Sequence, residues 1–235
     1  MRALAWPHPA TWALLALMGV QLGVWNWGRT LSGQEEIVPA PPPPQVFTIM
    51  ALGDAQYLFR VMALQLQNFG DSGGKVTPLA EYDYQRLGGW FRALDDLDPV
   101  SDYVAVTAAQ YYGMTPKRAD VVHVVAYLRE HARKDPARNW RWLAHAVYLA
   151  RHRMKDNALA LEVAQELAAL PVPDLPAWTK AMPAYALADL GEREAAVALL
   201  SAILATDARH LTPEEAKGMM KSIQKWQRQE QGGGK

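Results

Sequence analysis

Two pairs among the six histidines share a helical face: His145 with His152, and His123 with His131. Metal binding favours closer pairs, such as i and i+4, or carboxylates at matched spacing. The chain has no cysteine to supply thiolates, so neither a metal site nor a cofactor site is expected. Asp95, Asp96 and Asp98 gather three carboxylates, yet neither a glycine nor a distal glutamate follows at calcium-loop spacing, and they read as the acidic end of a helix. The side chains better suited to chemistry are those of recognition. The cluster Asn139-Trp140-Arg141-Trp142 heads a helix, and Tyr111, Tyr112, Arg141, His145, Tyr148, Lys180 and Tyr185 together offer the rings and cations that dominate interface energetics. These residues are expected to line a groove that binds a protein or peptide partner.

Such a groove needs a frame, and after Gln45 the apolar spacing is helical nearly everywhere, with no alternating run long enough for a strand. The fold class expected is all-α. Val46 to Phe69 reads as one helix with Ile49, Leu52, Tyr57, Val61 and Leu64 among its apolar positions, ended by the glycine-rich stretch Gly70 to Lys75. Further helices are expected near 79–96, 101–113, 117–133, 138–153, 156–169, 175–190, 192–205 and 213–229. Hairpin ends recur at Leu97-Asp98-Pro99, Lys134-Asp135-Pro136, Leu170-Pro171 and Thr206-Asp207, with spacings of 37, 35 and 36 residues. Proline just past the helix end punctuates the first three of these, because it cannot continue the helix.

Within these units the pattern resembles the tetratricopeptide repeat (TPR), a helix-turn-helix repeat of about 34 residues. The clearest copy is Trp178-x2-Ala181-Met182-x2-Tyr185, Gly191 at the turn, then Ala195-x3-Leu199-x2-Ala202. The preceding unit keeps Trp140, Leu143, Ala144, Tyr148, Ala158 and Ala164. Small residues at Ala105, Ala144, Ala158, Ala181 and Ala195 are expected to let helices approach closely. The resemblance implies a right-handed solenoid of antiparallel helical hairpins over residues 46–210, whose first helices line a concave groove. A last helix within 211–235 opens with Thr212-Pro213-Glu214-Glu215, a capping box, and places Met220, Ile223 and Trp226 on its inward stripe. Gly70-Asp71-Ser72-Gly73-Gly74 spells the nucleophile motif of chymotrypsin-like serine proteases. However, His8 is the sole histidine before it, and the surroundings are helical. A helix-breaking loop accounts for it.

Residues 1–31 carry no Asp, Glu, Lys or Arg from Ala3 to Gly28, and their apolar run is about the length needed to cross a ~30 Å hydrocarbon core. Trp6 and Trp12 near one end and Trp25 and Trp27 near the other suit the two interfaces. No small-x-small cleavage site follows, so an uncleaved single-pass transmembrane anchor is expected. Residues 32–45, SGQEEIVPAPPPPQ, read as an extended polyproline spacer.

With 24 basic and 24 acidic side chains in 235 residues, the chain lacks the cationic excess that general nucleic-acid binding needs. The function expected is a scaffold or adaptor, not an enzyme. It is placed at a bacterial inner membrane with its helical domain in the periplasm. Its rivals are a structural subunit of a large membrane complex and an enzyme whose site is assembled from scattered polar residues.

Overall fold

The computed structural model describes residues 8–30, 36–71, 76–173 and 175–232. Trp6 and the Ser72–Gly74 part of the glycine-rich motif lie outside the described residues. Among the described residues every regular element is helical and no strand occurs. The chain divides into two compact units, Met1–Glu36 and Ile37–Lys235.

The first unit contains helix α1, Pro9–Thr30. Every described side chain of α1 through Trp27 is exposed, among them Leu14, Leu17, Val20 and Val24. By mean hydropathy, no helix among the described residues is long and apolar enough to cross a membrane. In α1 the average is lowered by the Gln21 and Asn26 amides and by the indoles of Trp12, Trp25 and Trp27.

The second unit opens with the proline-rich segment, and here the structure departs from the expected loose spacer. Val38 is buried at 2% exposure. The Trp90 indole N–H donates to the Pro39 carbonyl at 2.7 Å, and Arg86 donates to the Val38 carbonyl at 3.1 Å. Residues 37–43 therefore lie as a strap on the helix that carries Arg86 and Trp90.

The helices of this unit are α2 (Pro44–Ala51), α3 (Ala55–Gln67), α4 (Tyr84–Leu97), α5 (Tyr103–Gln110), α6 (Arg118–Lys134), α7 (Pro136–Tyr148), α8 (Asn157–Ala168), α9 (Ala177–Leu190), α10 (Arg193–Thr206) and α11 (Pro213–Gly232). The single helix expected over 46–69 is broken at Leu52 (φ 47°) and Gly53 (φ 90°), after which Asp54 caps α3 by accepting from the Tyr57 N–H. Left-handed backbone at two successive residues ends one helix, and the aspartate starts the next. Of its apolar positions, Ile49, Leu52, Tyr57, Val61 and Leu64 are exposed, while Phe47, Leu58, Phe59 and Leu66 are buried. Asp83, Asp135 and Asp156 cap α4, α7 and α8 in the same way as Asp54. Asp135-Pro136 thus starts α7, with proline in its first turn, as well as ending α6.

Consecutive helices pack on one another from α6 to α11, and α4 also packs on α6. Side-chain bonds tie elements further apart at a recurring separation. Arg92 pairs with Glu130, 38 residues on, Arg129 with Glu166, 37 on, and Arg151 with Asp189, 38 on. Trp142 donates to Asp102, 40 residues back, and Arg153 to the Met114 and Thr115 carbonyls, 39 and 38 back. The structure shifts the inward register of α10 by one residue: Ala196, Leu200 and Ile203 are buried, while Ala195 and Ala202 are exposed. Likewise Ala160 and Ala164 pack in α8 and Ala158 does not. Gly191 does end α9, in the left-handed region at φ 93°.

The α11 capping box forms as its sequence requires, Glu215 accepting from the Thr212 N–H at 2.8 Å and its own N–H donating to the Thr212 hydroxyl at 3.2 Å. Its inward stripe is Met219, Ile223 and Trp226, with Met220 exposed at 48%.

Two helix-interior glycines predict opposite outcomes. A Cβ on Gly218 would meet nothing within 4 Å, so Gly218→Ala is expected to raise stability by about 0.5–1 kcal/mol through helix propensity and lost unfolded-state entropy. A Cβ on Gly89 would lie 2.9 Å from Pro41 Cγ. Gly89→Ala is expected to lower the thermal midpoint despite the same propensity gain, because the strap must move. Parallel thermal melts read both signs.

Candidate functional site

The exposed rings gather on α7 and the turn beyond it. α7 passes directly into a π-helical turn over Leu149–Met154, closed by Lys155 in the left-handed region at φ 59°. Wider turns of this kind occur often at functional sites. His145, Tyr148 and His152 sit at i, i+3 and i+7 and pack with tilted rings, centroids 5.5 and 5.0 Å apart. Tyr148 is 48% exposed. His145 lies against the Ala109 carbonyl near the end of α5, and α5 ends at Tyr111, itself 41% exposed. One turn earlier the Arg141 guanidinium lies over the Trp140 ring, 4.8 Å from its centroid, and Trp140 in turn packs on Trp178 of α9.

The electrostatics of this face are mild. Burial pushes the His145 imidazole below its ordinary pKa, and the Ala109 carbonyl offsets that in part. His152 is also pushed down, by burial first and then by the neighbouring Arg151 and Lys155 charges. Near pH 7 both rings are therefore neutral hydrogen-bonding groups, and Arg141 supplies fixed charge. Arg151 and Arg153 are committed elsewhere, to Asp189 and to backbone carbonyls.

Three of the sequence-predicted groove residues are placed differently. Tyr112 is fully buried, its hydroxyl donating to the Leu66 carbonyl at 2.6 Å and its ring against Tyr82, Tyr84 and Phe91. It is a core residue, out of a partner's reach, and burial raises its hydroxyl pKa far above the ordinary phenol value. Lys180 is paired with Asp207 at 2.9 Å. Tyr185 is half-buried between Trp226 and Arg151. Tyr111, Arg141, His145 and Tyr148 remain as an accessible set, joined by His152.

No family model, curated protein or solved structure matches the chain. The candidate site must therefore be read from its own chemistry.

A second cluster is buried where α4 meets α6. Asp95 and His131 are each 1% exposed, and the imidazole Nδ1 lies 2.7 Å from Asp95 Oδ1. An ionised carboxylate can only accept, so Nδ1 carries the hydrogen of this bond. Tyr127 donates to the same oxygen at 3.2 Å, and Lys134 reaches the other at 3.0 Å. Burial alone would raise the Asp95 carboxyl, but the His131 and Lys134 hydrogen bonds override it and hold it below the ordinary carboxylate range. Tyr127 is pushed far up, by burial first and then by the Asp95 charge. His131 Nε2 and Asn139 Oδ1 are buried with no hydrogen-bond partner among the described residues.

An aspartate orienting an imidazole is half of a nucleophile-activating set, yet among the described residues no serine or threonine hydroxyl is hydrogen-bonded to His131 Nε2, the atom that would serve as base. The cluster joins two helices instead. Asp95, Asp96 and Asp98 do stand at the end of α4, but with different surroundings: Asp95 is buried in this cluster, Asp96 pairs with Lys134, and Asp98 accepts from the Val100 and Ser101 N–H groups. The sequence does carry a sign of this, for Asp95 follows Leu94 on the stripe of Leu87 and Phe91, where a solvated carboxylate does not belong. Among the described residues no group of three His, Cys, Asp or Glu could hold a metal ion.

Proposed function

We propose that this protein is a membrane-anchored, TPR-like scaffold whose helical domain recruits a partner protein or peptide through the face bearing Tyr111, Arg141, His145 and Tyr148. The observation that carries the solenoid reading is the recurrence of cross-helix bonds at 36–40 residues, from Asp95–His131 to Trp142–Asp102. Equivalent helices of successive repeats meet at such a separation in a stacked array. Recruitment follows from the exposed aromatic and cationic side chains on a rigid helix, which can add contact area with little ordering cost. The anchor reading is supported by the composition of α1, mostly apolar and without a charge from Pro9 to Gly28. A helix of that composition needs either a core or a bilayer around it. The residues that lower its mean hydropathy include indoles near both ends, where bilayer interfaces favour them. Arg2 precedes α1 and a long carboxyl-terminal domain follows it, an arrangement that fits a bacterial inner membrane with the domain in the periplasm.

The test is crosslinking and capture from native membranes with the full chain and a Tyr111→Ala, Arg141→Ala, Tyr148→Ala triple variant. All three side chains are exposed, so the circular-dichroism melt is expected to be unchanged. Each truncation is expected to weaken capture by about tenfold, as for interface anchors worth a little over 1 kcal/mol. An undiminished partner set from the folded triple variant removes this face from the function.

A further inference from the structure

Polyproline II segments are recognised by a recurring chemistry. An aromatic ring with an N–H donor reads carbonyls that no neighbouring N–H competes for, and a flat surface accepts the pyrrolidine rings. The α4 surface supplies each part. The Trp90 indole donates to the Pro39 carbonyl at 2.7 Å, and its orientation is fixed from behind by Phe47 and Phe69, at centroid distances of 5.9 and 5.4 Å. The Arg86 guanidinium donates to the Val38 carbonyl one residue earlier. Gly89 leaves bare backbone where the Pro41 ring rests, since a Cβ there would lie 2.9 Å from Pro41 Cγ. The segment leaves the cradle in polyproline II geometry, Pro43 having φ −64° and ψ 154°.

We propose that Arg86, Gly89 and Trp90 form a polyproline-II-binding site, with this chain's own Val38–Pro41 as resident ligand. A proline-rich segment of another protein chain competes for the same place. The resident segment is suited to exchange. It is held by one buried side chain, Val38, with Ile37 packed beside it and Pro41 half-buried, and by two hydrogen bonds from side chains, while Pro39, Ala40 and Pro43 stay exposed. Proline fixes φ at Pro39 and Pro41 whether or not the segment is docked, so a competing proline-rich segment has a reduced ordering cost to meet. Covalent attachment gives the resident an effective concentration in the ~mM range, so the site is closed to dilute competitors and opens where one is concentrated.

The experiment uses the full chain in detergent micelles and a fluorescent peptide of residues 36–44, EIVPAPPPP. Val38→Asp removes the resident's buried anchor. Fluorescence anisotropy is expected to show saturable peptide binding to this variant, at least about tenfold tighter than to the wild-type chain, where the resident competes. Adding Trp90→Phe, which keeps an aromatic ring but deletes the donor and part of the indole, is expected to reduce that binding about fivefold or more, at least one charge-free hydrogen bond's worth. Val38→Ala serves in the same comparison should Val38→Asp lose helical circular dichroism. A folded Val38 variant that shows no saturable binding at ~mM peptide, or binding indifferent to Trp90→Phe, overturns the proposal.

Discussion

Asp95→Asn is expected to destabilise the protein by about 3 kcal/mol at pH 7, the lower end of the cost of breaking a buried ion pair from one side. The carboxylate is 1% exposed and receives His131, Tyr127 and Lys134 together. An amide keeps the volume but turns one acceptor oxygen into a donor facing donors, leaving buried N–H and O–H groups unmatched. The lower end applies because Lys134 keeps Asp96 and is 39% exposed, so its charge is not stranded. The sign of the pH dependence follows from the depressed Asp95 carboxyl. A carboxylate held below its unfolded value contributes stability that is fully present above about pH 4 and is lost as pH falls through the folded-state value. Urea unfolding at pH 7 and near pH 3 should therefore show the wild-type advantage over Asp95→Asn shrinking in acid. A gap of equal size at both pH values would mean that packing, not charge, makes Asp95 important. Asp96→Asn, at a side chain 74% exposed, is the matched control and should change little.

How far the sequence revealed this architecture depended on the range of the interaction concerned. Thr212 with Glu215, Gly191 and the Asp135-Pro136 pair were legible, because caps and stops are settled within a few residues by backbone hydrogen bonds. The break at Leu52-Gly53 was hidden under continuous apolar periodicity, although Gly53-Asp54 is itself a stop followed by a cap. In α10, Ala195-x3-Leu199 and Ala196-x3-Leu200 both satisfy a small-x3-large pattern, and only the facing helices decide which one is buried. The union of Asp95 with His131, 36 residues apart, and of Pro39 with Trp90, 51 apart, are tertiary facts. Each left a trace as a residue that is wrong for its local setting: a carboxylate on an apolar stripe, and Gly88-Gly89 in the middle of α4. The proposed partner face shows the same division. Aromatic and cationic type was readable, but Tyr111 and Tyr112 are adjacent, and packing alone sends one to solvent and the other to the core.

Charge placed in the middle of α1 should have the largest effect of any substitution considered. Leu15 and Val20 are 51% and 65% exposed and lie between the indoles of Trp12 and Trp25, Val20 nearer the middle of α1 and Leu15 about one turn from Trp12. If a bilayer surrounds α1, Leu15→Arg with Val20→Arg places two guanidiniums in the apolar run; the one at Val20, near the centre, costs about 2.5–3.5 kcal/mol on an insertion scale, about a hundredfold in partitioning, and the one at Leu15 adds less. Arginine at either site leaves helix propensity nearly unchanged, so α1 itself should persist. The wild-type chain should stay with membranes through alkaline carbonate washing, and the double variant should pass to the soluble fraction with the helical domain's melting transition intact. Leu15→Phe, of similar bulk and no charge, should remain membrane-bound. Carbonate release of the wild-type chain would end the anchor reading and leave α1, with its exposed Leu and Val side chains, as a helix to be covered by protein. Retention of a folded double variant would shift attachment to the exposed apolar side chains of α2 and α3, among which Leu52 stands 90% clear of the domain at the bend between the two helices.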